Sequence, residues 1–415
     1  MNVRSVLTAS IAIVVGVVLI APTAAVALPA RDTAVSVTIF LRHGIRAPLS
    51  GELPNSNQSG LWPTWPVAAG LLTPRGSRNV KSLGLWLGRD WRRRGLLPAG
   101  CPTASDLSVR SNSVHRTIDS ARALVAGLVS DTCKIAIEHM PEGSPDPIFD
   151  PQGAGAVNVD AQSLSENVPP DSTAIWLAYA APIARLQTIL GCRELDPNCG
   201  MNLLPSHPIA VDRKGVHLDP RSRGYAGAAQ GLLLQYAEGL RMPRVRGRSV
   251  GAADVMYLSR LHAVSFIYEA REPQMADQLS KPFFGELEKQ VAEGSQVARI
   301  RIFVGHDNVL SAITARLGID FTAPGYGLDD PPIGGGFGFE LIRTGNGEKR
   351  VRGFYIAQTP DQLRQLSALR GSDGPWRRYF AFGGCSAPAS LGCPVSTFRG
   401  LLREVRSSLP GDLPA

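Results

Sequence analysis

Residues 36–50, SVTIFLRHGIRAPLS, join an apolar run directly to a charged one. The apolar part belongs to a stretch over 33–41 that is rich in β-branched residues and lacks a clean polar alternation. That pattern is typical of a central strand covered on both faces in a parallel α/β sheet. The strand ends in a turn that contains Arg42, His43, Gly44 and Arg46. Because charge at the end of a core strand is costly unless it is compensated, this stretch predicts a buried strand followed by an anion-binding turn.

Two other segments repeat this order of strand, turn and charged residues. Residues 297–304 favour a strand, after which His306 and Asp307 open a segment with helical periodicity. Residues 107–110 favour a short strand, and Arg116 stands near the start of the amphipathic helix that follows. Because ligands bind outside the carboxyl ends of the strands in an open parallel sheet, we expect these side chains to converge.

The converging side chains suit a phosphate group. Guanidinium groups offer planar bidentate donors and a permanent charge, and Arg116 at a helix start adds the positive end of the helix dipole. A histidine among them can act as a nucleophile and form a covalent intermediate, while Asp307 is the candidate acid for the leaving alkoxide. The set predicts phosphoryl transfer. The alternative is a phosphate-binding protein, which would need neither the nucleophile nor the acid.

The N-terminal residues predict export. Arg4 precedes an apolar core from about Ile11 to Ile20, and Ala25-Val26-Ala27 fits the small-residue rule for signal-peptidase cleavage. We expect a signal peptide over residues 1–27; an uncleaved anchor is the alternative, but the apolar run is short for a membrane span. The mature protein is therefore predicted to be periplasmic or secreted, without stable membrane association.

The six cysteines fit an oxidising compartment, where an even number predicts disulfides. Many pairings are possible, and proximity in sequence favours Cys101–Cys133, Cys192–Cys199 and Cys385–Cys393. A metal site would require C-x-x-C spacing or cysteine–histidine clusters. Neither pattern occurs in the sequence, so no metal is predicted.

Length and charge narrow the class of protein further. A chain of 415 residues is too long for one small core and predicts two domains, or one with a large insertion. The net charge is +8, and losing residues 1–27 removes only Arg4 from the basic side chains. The basic run over 241–248 contains no aromatic residue, which favours a solvated loop and argues against a nucleic-acid partner.

These motifs resemble those of the histidine acid phosphatases, the two-motif branch of the histidine phosphatase superfamily, and in particular the bacterial periplasmic phytases and glucose-1-phosphatases. RHGIRAP (42–48) is similar to the family's first motif, and GHD (305–307) to its second. The resemblance extends through GLLTPRG (70–76), HRTIDSARALVAGL (115–128) and LSRLHAVSF (258–266), and covers essentially the whole mature chain.

The resemblance implies a role for each motif residue and a small-molecule phosphate monoester as substrate. His43 would attack phosphorus, and Asp307 would protonate the leaving group. The phosphoryl oxygens would be held by Arg42, Arg46, Arg116 and His306. Neither a metal nor an organic cofactor is implied.

The family's fold is a three-layer α/β/α sandwich with a mostly parallel sheet and a smaller, mainly helical inserted domain. For this chain the resemblance implies an α/β catalytic domain over 28–150 and 285–415, and a helical domain over 151–284 that covers the cleft. The three favoured cysteine pairs also lie where family members carry disulfides. The oligomeric state stays open.

Four positions bear on the identity of the substrate. Ser50 stands where phytases usually carry a lysine, and Gln230 where they often carry a glutamate. Asp277 replaces an expected arginine, a change that should weaken phytate binding. His262 lies within helical periodicity, either packed in the core or orienting substrate from the cleft. A general acid phosphatase is favoured, with a specialised phytase or glucose-1-phosphatase as the alternative.

Overall fold

The computed structural model describes residues 32–56, 60–192, 208–292 and 295–407 of the chain. The expected signal peptide, residues 1–27, lies outside the described residues. In the described part of the chain, none of the helices combines the length and the hydrophobicity that a membrane crossing requires.

The strands have the following bounds: β1 (Thr33–Arg42), β2 (Leu107–Ser111), β3 (Ile137–Glu138), β4 (Ile209–Asp212), β5 (Gly215–Leu218), β6 (Arg244–Val245), β7 (Arg248–Ser249), β8 (Ile300–Gly305), β9 (Gly336–Arg343), β10 (Lys349–Ala357), β11 (Trp376–Phe380) and β12 (Cys393–Pro394).

The helices have the following bounds: α1 (Pro74–Arg93), α2 (His115–Leu128), α3 (Ala161–Asn167), α4 (Thr173–Ala178), α5 (Ala180–Leu190), α6 (Pro220–Ala237), α7 (Ala252–Val264), α8 (Phe266–Glu269), α9 (Pro273–Val291), α10 (Asp307–Arg316), α11 (Pro360–Gln365) and α12 (Val395–Ser407).

The largest sheet of the described residues has eight strands, in the order β11-β10-β9-β1-β8-β2-β3, with β12 paired to β10. Strands β1, β8, β2 and β3 pair in parallel. Strands β9, β10 and β11 continue the sheet through antiparallel pairs, so that β10 again runs in the direction of β1. The predicted α/β fold with a mostly parallel sheet is confirmed, and the charged junctions lie in its parallel half.

The side chains of β1 explain why its sequence shows no polar alternation. Val37, Ile39 and Leu41 pack in a buried cluster with residues of α1 and α2. Phe40 points to the opposite face, into a phenylalanine-rich cluster that includes residues of α9, α10 and α12. Because successive strand side chains point to opposite faces, a strand between two helical layers must be apolar on both.

The region between α3 and α9 is mainly helical, and its buried cluster is continuous with residues of the α/β region such as Ile45 and Tyr326. Helix α6 is buried along most of its length, and Tyr225 and Leu232 pack there against Trp176 of α4 and Leu258 of α7. The expected boundary between residues 284 and 285 stays a prediction, and it falls inside the single helix α9. The C-terminal half of α9 packs on the sheet, so this helix belongs to both regions.

Two of the expected cysteine pairs are present as disulfides. Cys101–Cys133 connects the segment before β2 with the segment after α2, and Cys385–Cys393 closes the loop that leads into β12. The third expected pair includes Cys199, which lies outside the described residues.

Helices α1 and α2 pack at unusually short range because glycines face the neighbouring backbone. A Cβ atom added at Gly84 of α1 would lie 2.2 Å from the carbonyl oxygen of Leu124, and one added at Gly127 of α2 would lie 2.1 Å from that of Lys81. Any side chain at these positions would push the helices apart. The glycines therefore fix the place of α2, whose first turn carries Arg116.

Replacing Gly127 by alanine should lower the free energy of unfolding by about 1–3 kcal/mol, because the new methyl group overpacks the contact with Lys81. Gly285→Ala is the matched control. That glycine lies in α9 with no neighbouring atom within 4 Å of an added Cβ, so the substitution should stabilise the protein by up to about 1 kcal/mol through helix propensity. Urea unfolding of both variants measures the difference, and equal changes would contradict the packing argument.

Candidate active site

The ends of β1, β8 and β2 bring the charged junctions together. Arg42, the last residue of β1, is in register with Gly305 at the end of β8, and the N–H of His43 donates to the Gly305 carbonyl at 3.0 Å. On the other side of β8, the N–H of Asn112 just after β2 donates to the carbonyl of Val304 at 3.0 Å. The three segments thus open at one edge of the sheet, as expected for a ligand site.

His43 is buried and held in one tautomer. Its Nδ1 lies 2.8 Å from the carbonyl oxygen of Gly44, and because a carbonyl only accepts, Nδ1 carries the hydrogen and Nε2 keeps its lone pair. Burial, followed by the charges of Arg116 and Arg42, holds the pKa of His43 well below its usual 6.5. The ring is therefore a neutral base with a free nitrogen.

Arg42 and Asp307 form the central ion pair. The Arg42 side chain is fully buried; its Nη1 donates to the carbonyl of Pro331 at 2.6 Å, and its Nη2 lies 2.6 Å from Oδ2 of Asp307. Burial opposes ionisation of Asp307, but the charge of Arg42 outweighs it and lowers the pKa of the aspartate strongly. Asp307 is thus a carboxylate in the unliganded site.

Arg46 is held end-on by Glu52. Its Nη1 and Nη2 donate to the two carboxylate oxygens at 2.7 and 2.8 Å, a bidentate pair. Burial opposes the charge of Glu52, but hydrogen bonding to Arg46 holds the pKa of the glutamate below 4.5. Helix α6 packs directly on this turn, since a Cβ at Gly227 would lie 2.2 Å from the Glu52 carbonyl oxygen.

Arg116 and His306 complete the cationic side of the site. Arg116 Nη2 lies 3.4 Å from His306 Nδ1, and the His306 ring lies 5.6 Å from that of His43. Burial and then the charge of Arg46 lower the pKa of Arg116 to about 10. Burial and then Arg116 lower the pKa of His306 to about 3. Both shifts come first from burial and then from neighbouring arginine charges, and His306 is therefore neutral.

The three arginines each keep a buried donor unused. The Nε atoms of Arg42, Arg46 and Arg116 are buried and have no hydrogen-bond partner among the described residues. Buried polar groups are nearly always paired, and an unpaired donor on a charged group is especially costly. The Nε atoms of four other arginines in the described part of the chain also lack partners, so what distinguishes these three is that their charges surround His43. An anion bound beside His43 would be an acceptor for them.

Ser120 of α2 connects the nucleophile turn to the arginine on that helix. Its Oγ accepts from the N–H of Gly44 at 3.0 Å and donates to the carbonyl of Arg116 at 2.6 Å. Gly44 itself must lack a side chain, because a Cβ there would lie 2.7 Å from Cγ2 of Val80.

His262 lies beside Asp307, and this decides between the two alternatives that its sequence context left open. Its Nδ1 lies 2.7 Å from Oδ1 of Asp330, and its Nε2 lies 3.8 Å from Oδ2 of Asp307. The ring also makes an edge-to-face contact with Phe266, at 5.0 Å between centroids. His262 is therefore a residue of the site rather than of the core.

The other three residues considered for the substrate cleft lie in different environments. Ser50 is exposed in a turn, and Gln230 is buried with neither amide atom hydrogen-bonded among the described residues. Asp277 pairs with Nε of Arg316 at 3.3 Å. Arg316 is the last residue of α10, which begins at Asp307, so these two residues lie about 14 Å apart along the helix axis. The structure does not bring Asp277 to the arginine cluster. The contacts of this carboxylate therefore do not support the expectation that it acts directly on an anion in the cleft.

Sequence reasoning missed four groups that orient the site: Glu52, Ser120, Asp330 and the carbonyl of Pro331. Glu52 carries a weak signal, since an acidic residue stands six positions after Arg46. The others follow no motif. No group of three or more metal-ligating side chains is found within the described ranges.

Comparisons with known proteins agree with this geometry. The sequence model of the histidine phosphatase superfamily (branch 2) matches residues 35–175. Phytase AppA of Escherichia coli is 26% identical over 89% of this chain and 91% of its own length. Residues 35–175 thus match branch 2 of the histidine phosphatase superfamily, and the likeness to a phytase extends over most of the chain.

Other proteins match over similar lengths. A glucose-1-phosphatase of Salmonella typhimurium is 26% identical over 87% of this chain and 90% of its own. Among solved structures, a Hafnia alvei phytase in complex with tartrate superimposes with a TM-score of 0.81 at 26% identity, covering 91% of this chain and 98% of that one. The chain thus shares its fold with a bacterial phytase and is similar in sequence to a glucose-1-phosphatase over most of both chains.

Ser120→Ala should lower the free energy of unfolding by about 1–3 kcal/mol, because it leaves the buried N–H of Gly44 without an acceptor. It should also raise KM for a phosphate ester, since the turn and Arg116 lose their common anchor. Ser311→Ala is the matched control, because the buried Oγ of Ser311 has no partner in the described part of the chain. Thermal unfolding and KM measurements should separate the two variants; equal effects would argue against an anchoring role for Ser120.

Proposed function

We propose that this protein is an exported acid phosphatase that hydrolyses small-molecule phosphate monoesters through a phosphohistidine at His43. The observation that supports it best is the set of three unpaired arginine Nε donors around a neutral histidine whose Nε2 is free. A phosphoryl group would provide the missing acceptors, and its phosphorus would be within the histidine's reach.

In the first half-reaction, His43 Nε2 attacks phosphorus while the bond from phosphorus to the ester oxygen breaks. Arg42, Arg46 and Arg116 bind the non-bridging oxygens and stabilise the charge that develops on them. Asp307, in its protonated form, gives its proton to the leaving oxygen. The products of this step are the free alcohol and a phosphohistidine.

In the second half-reaction, water attacks the phosphohistidine. The Asp307 carboxylate takes a proton from that water, His43 leaves with its electron pair, and inorganic phosphate is released. The low pKa of Asp307 beside Arg42 suits its ionised role here. Its protonated role in the first step is favoured at low pH, so we expect an acidic optimum.

Export is supported by the oxidised cysteines and by the N-terminal sequence. Disulfides persist mainly in compartments such as the bacterial periplasm or the cell exterior, and two are present in the described residues. Together with the signal-peptide pattern of residues 1–27, they favour a periplasmic or secreted enzyme.

His43→Ala should abolish hydrolysis of p-nitrophenyl phosphate at pH 4–6, because no covalent intermediate can form. Asp307→Asn should reduce hydrolysis of an alkyl phosphate, whose leaving group needs a proton, by about 10²–10⁴-fold. The wild-type rate should be unaffected by chelator. Rapid acid-free quenching with labelled substrate should trap a phosphoenzyme in the wild type and none in His43→Ala. Full activity of His43→Ala would disprove the mechanism, and a folded but inactive wild type would favour a phosphate-binding protein.

Glu52 bears on the substrate class. Its carboxylate pairs with Arg46 and so removes one positive charge from the site, while the Nε of Arg46 stays available to a phosphoryl oxygen. Glu52 also lies close enough to His262 to interact with it electrostatically, which puts the carboxylate near the side of the site that carries Asp307. A substrate with several phosphates would meet this charge. We therefore propose esters with a single phosphate and an uncharged alcohol as preferred substrates.

Glu52→Gln should raise kcat/KM for phytate relative to glucose 1-phosphate, on the order of 10-fold for one charge removed close to a polyanion. Asp277→Asn is the matched control: its charge is also removed, but it pairs with Arg316 away from the cluster, and the ratio should not change. If Glu52 only positions Arg46, kcat/KM should fall by the same factor for both substrates, and the selectivity argument would be wrong.

A further inference from the structure

The site contains a conflict between the charge state of Asp307 and its work in the first half-reaction. As the acid, Asp307 must carry a proton when the ester bond breaks. Its Oδ2 lies 2.6 Å from Nη2 of Arg42, an arrangement that favours the carboxylate. A nearby proton donor would remove the conflict.

His262 is placed to be that donor. Its Nδ1 is hydrogen-bonded to Asp330 at 2.7 Å, which directs Nε2 towards Asp307, whose Oδ2 lies 3.8 Å away. A small movement of either side chain would bring these two atoms to hydrogen-bonding distance. The imidazole thus lies between two carboxylates, and Phe266 packs against its ring.

Asp330 is held through the contacts of the residue before it. Its side chain is fully buried, and the preceding Asp329 adopts a left-handed conformation with φ of 55°, which is unfavourable for a residue other than glycine. Contacts hold that conformation in place: Asp329 Oδ1 accepts from the N–H of Phe321 at 3.0 Å, and Oδ2 lies 3.1 Å from Nη2 of Arg271. Backbone strain of this kind persists where the surroundings determine it, often at functional sites.

The same short segment also orients the other partner of Asp307. The carbonyl of Pro331, next to Asp330, accepts from Nη1 of Arg42. Residues 329–331 therefore fix the positions of both partners of Asp307: the Arg42 guanidinium, which favours its ionised form, and the His262 imidazole, which can bring it a proton. A histidine packed only for stability would not need this double connection to the general acid.

We propose that His262, oriented by Asp330, is a positioning residue that exchanges a proton with Asp307 during each turnover. In the first half-reaction the imidazolium gives the proton on Nε2 to the Asp307 carboxylate, and Asp307 passes this proton to the leaving oxygen. This leaves a carboxylate beside a neutral imidazole. In the second, Asp307 takes a proton from the attacking water and returns it to Nε2. No proton is gained or lost over the cycle beyond those of ester hydrolysis. The proposal rests on the proposed function.

The charged groups that face His262 come from three segments besides its own helix. Asp330 lies in the segment before β9, Asp307 opens α10, and Glu52 lies in the turn after β1. All three are carboxylate side chains. Arg42 acts on His262 only from beyond Asp307.

The test is the dependence of kcat/KM on the leaving group. Phenols with electron-withdrawing groups leave without help from an acid, whereas alkanols need a proton. His262→Asn should therefore lose less than about 3-fold on p-nitrophenyl phosphate and on the order of 10–100-fold on an alkyl phosphate such as glycerol 2-phosphate. The plot of log kcat/KM against leaving-group pKa should become steeper. Circular dichroism and thermal unfolding check that the variant is folded.

Asp330→Asn is the second variant, and it tests the proton-exchange role if His262→Asn does not fold. Asparagine can still accept from Nδ1 but carries no charge, so the same selective loss on alkyl phosphates should follow, to a smaller extent. Equal losses on aryl and alkyl phosphates in the folded variants, or no loss, would overturn the proton-exchange role while leaving the phosphohistidine mechanism intact. An inactive wild type, or a fully active His43→Ala, would overturn the proposed function and this inference with it.

Discussion

The parallel pairing of β1 with β8 is the constraint on which the rest of the site depends. Its register sets Arg42 opposite Gly305, so that the residues immediately beyond the two strands, His43 and His306, leave the sheet side by side. The Arg42–Asp307 ion pair then crosses this junction at 2.6 Å. A shift of one residue would exchange the two faces of β1, so that Phe40 would point towards α1 and α2 instead of into the phenylalanine-rich cluster.

The electrostatics of the site follow from placing three arginines at one edge of a sheet. Burial, followed by the charges of these arginines, lowers the pKa of Arg116 and also lowers the pKa values of His43 and His306. Two carboxylates, Glu52 and Asp307, offset part of this charge but leave the Nε donors unpaired. The three arginines outnumber these two carboxylates, so the site still attracts a dianion.

Each carboxylate near the arginines has a distinct position and so a distinct use. Asp307 faces the reacting histidine and His262, where protons must move. Glu52 faces Arg46 from the turn after β1, where it changes the net charge rather than the chemistry. This separation allows one scaffold to keep its reaction while the charge of its pocket, and hence its substrates, varies.

The sequence by itself determined the sheet, the strand ends and the motif residues. Strand pattern and short motifs depend on neighbours within a few positions, so β1, β8 and the turns that carry His43 and Asp307 could be predicted, as could the family. Tertiary structure alone decided which groups surround them. His262 meets Asp330 across 68 positions and Arg42 meets Pro331 across 289, while Asp277, expected near the substrate, meets Arg316. Even the pairing of Glu52 with Arg46, only six positions away, occurs in a turn that α6 packs against at Gly227. Such partners depend on the packing of distant segments, which no local pattern records.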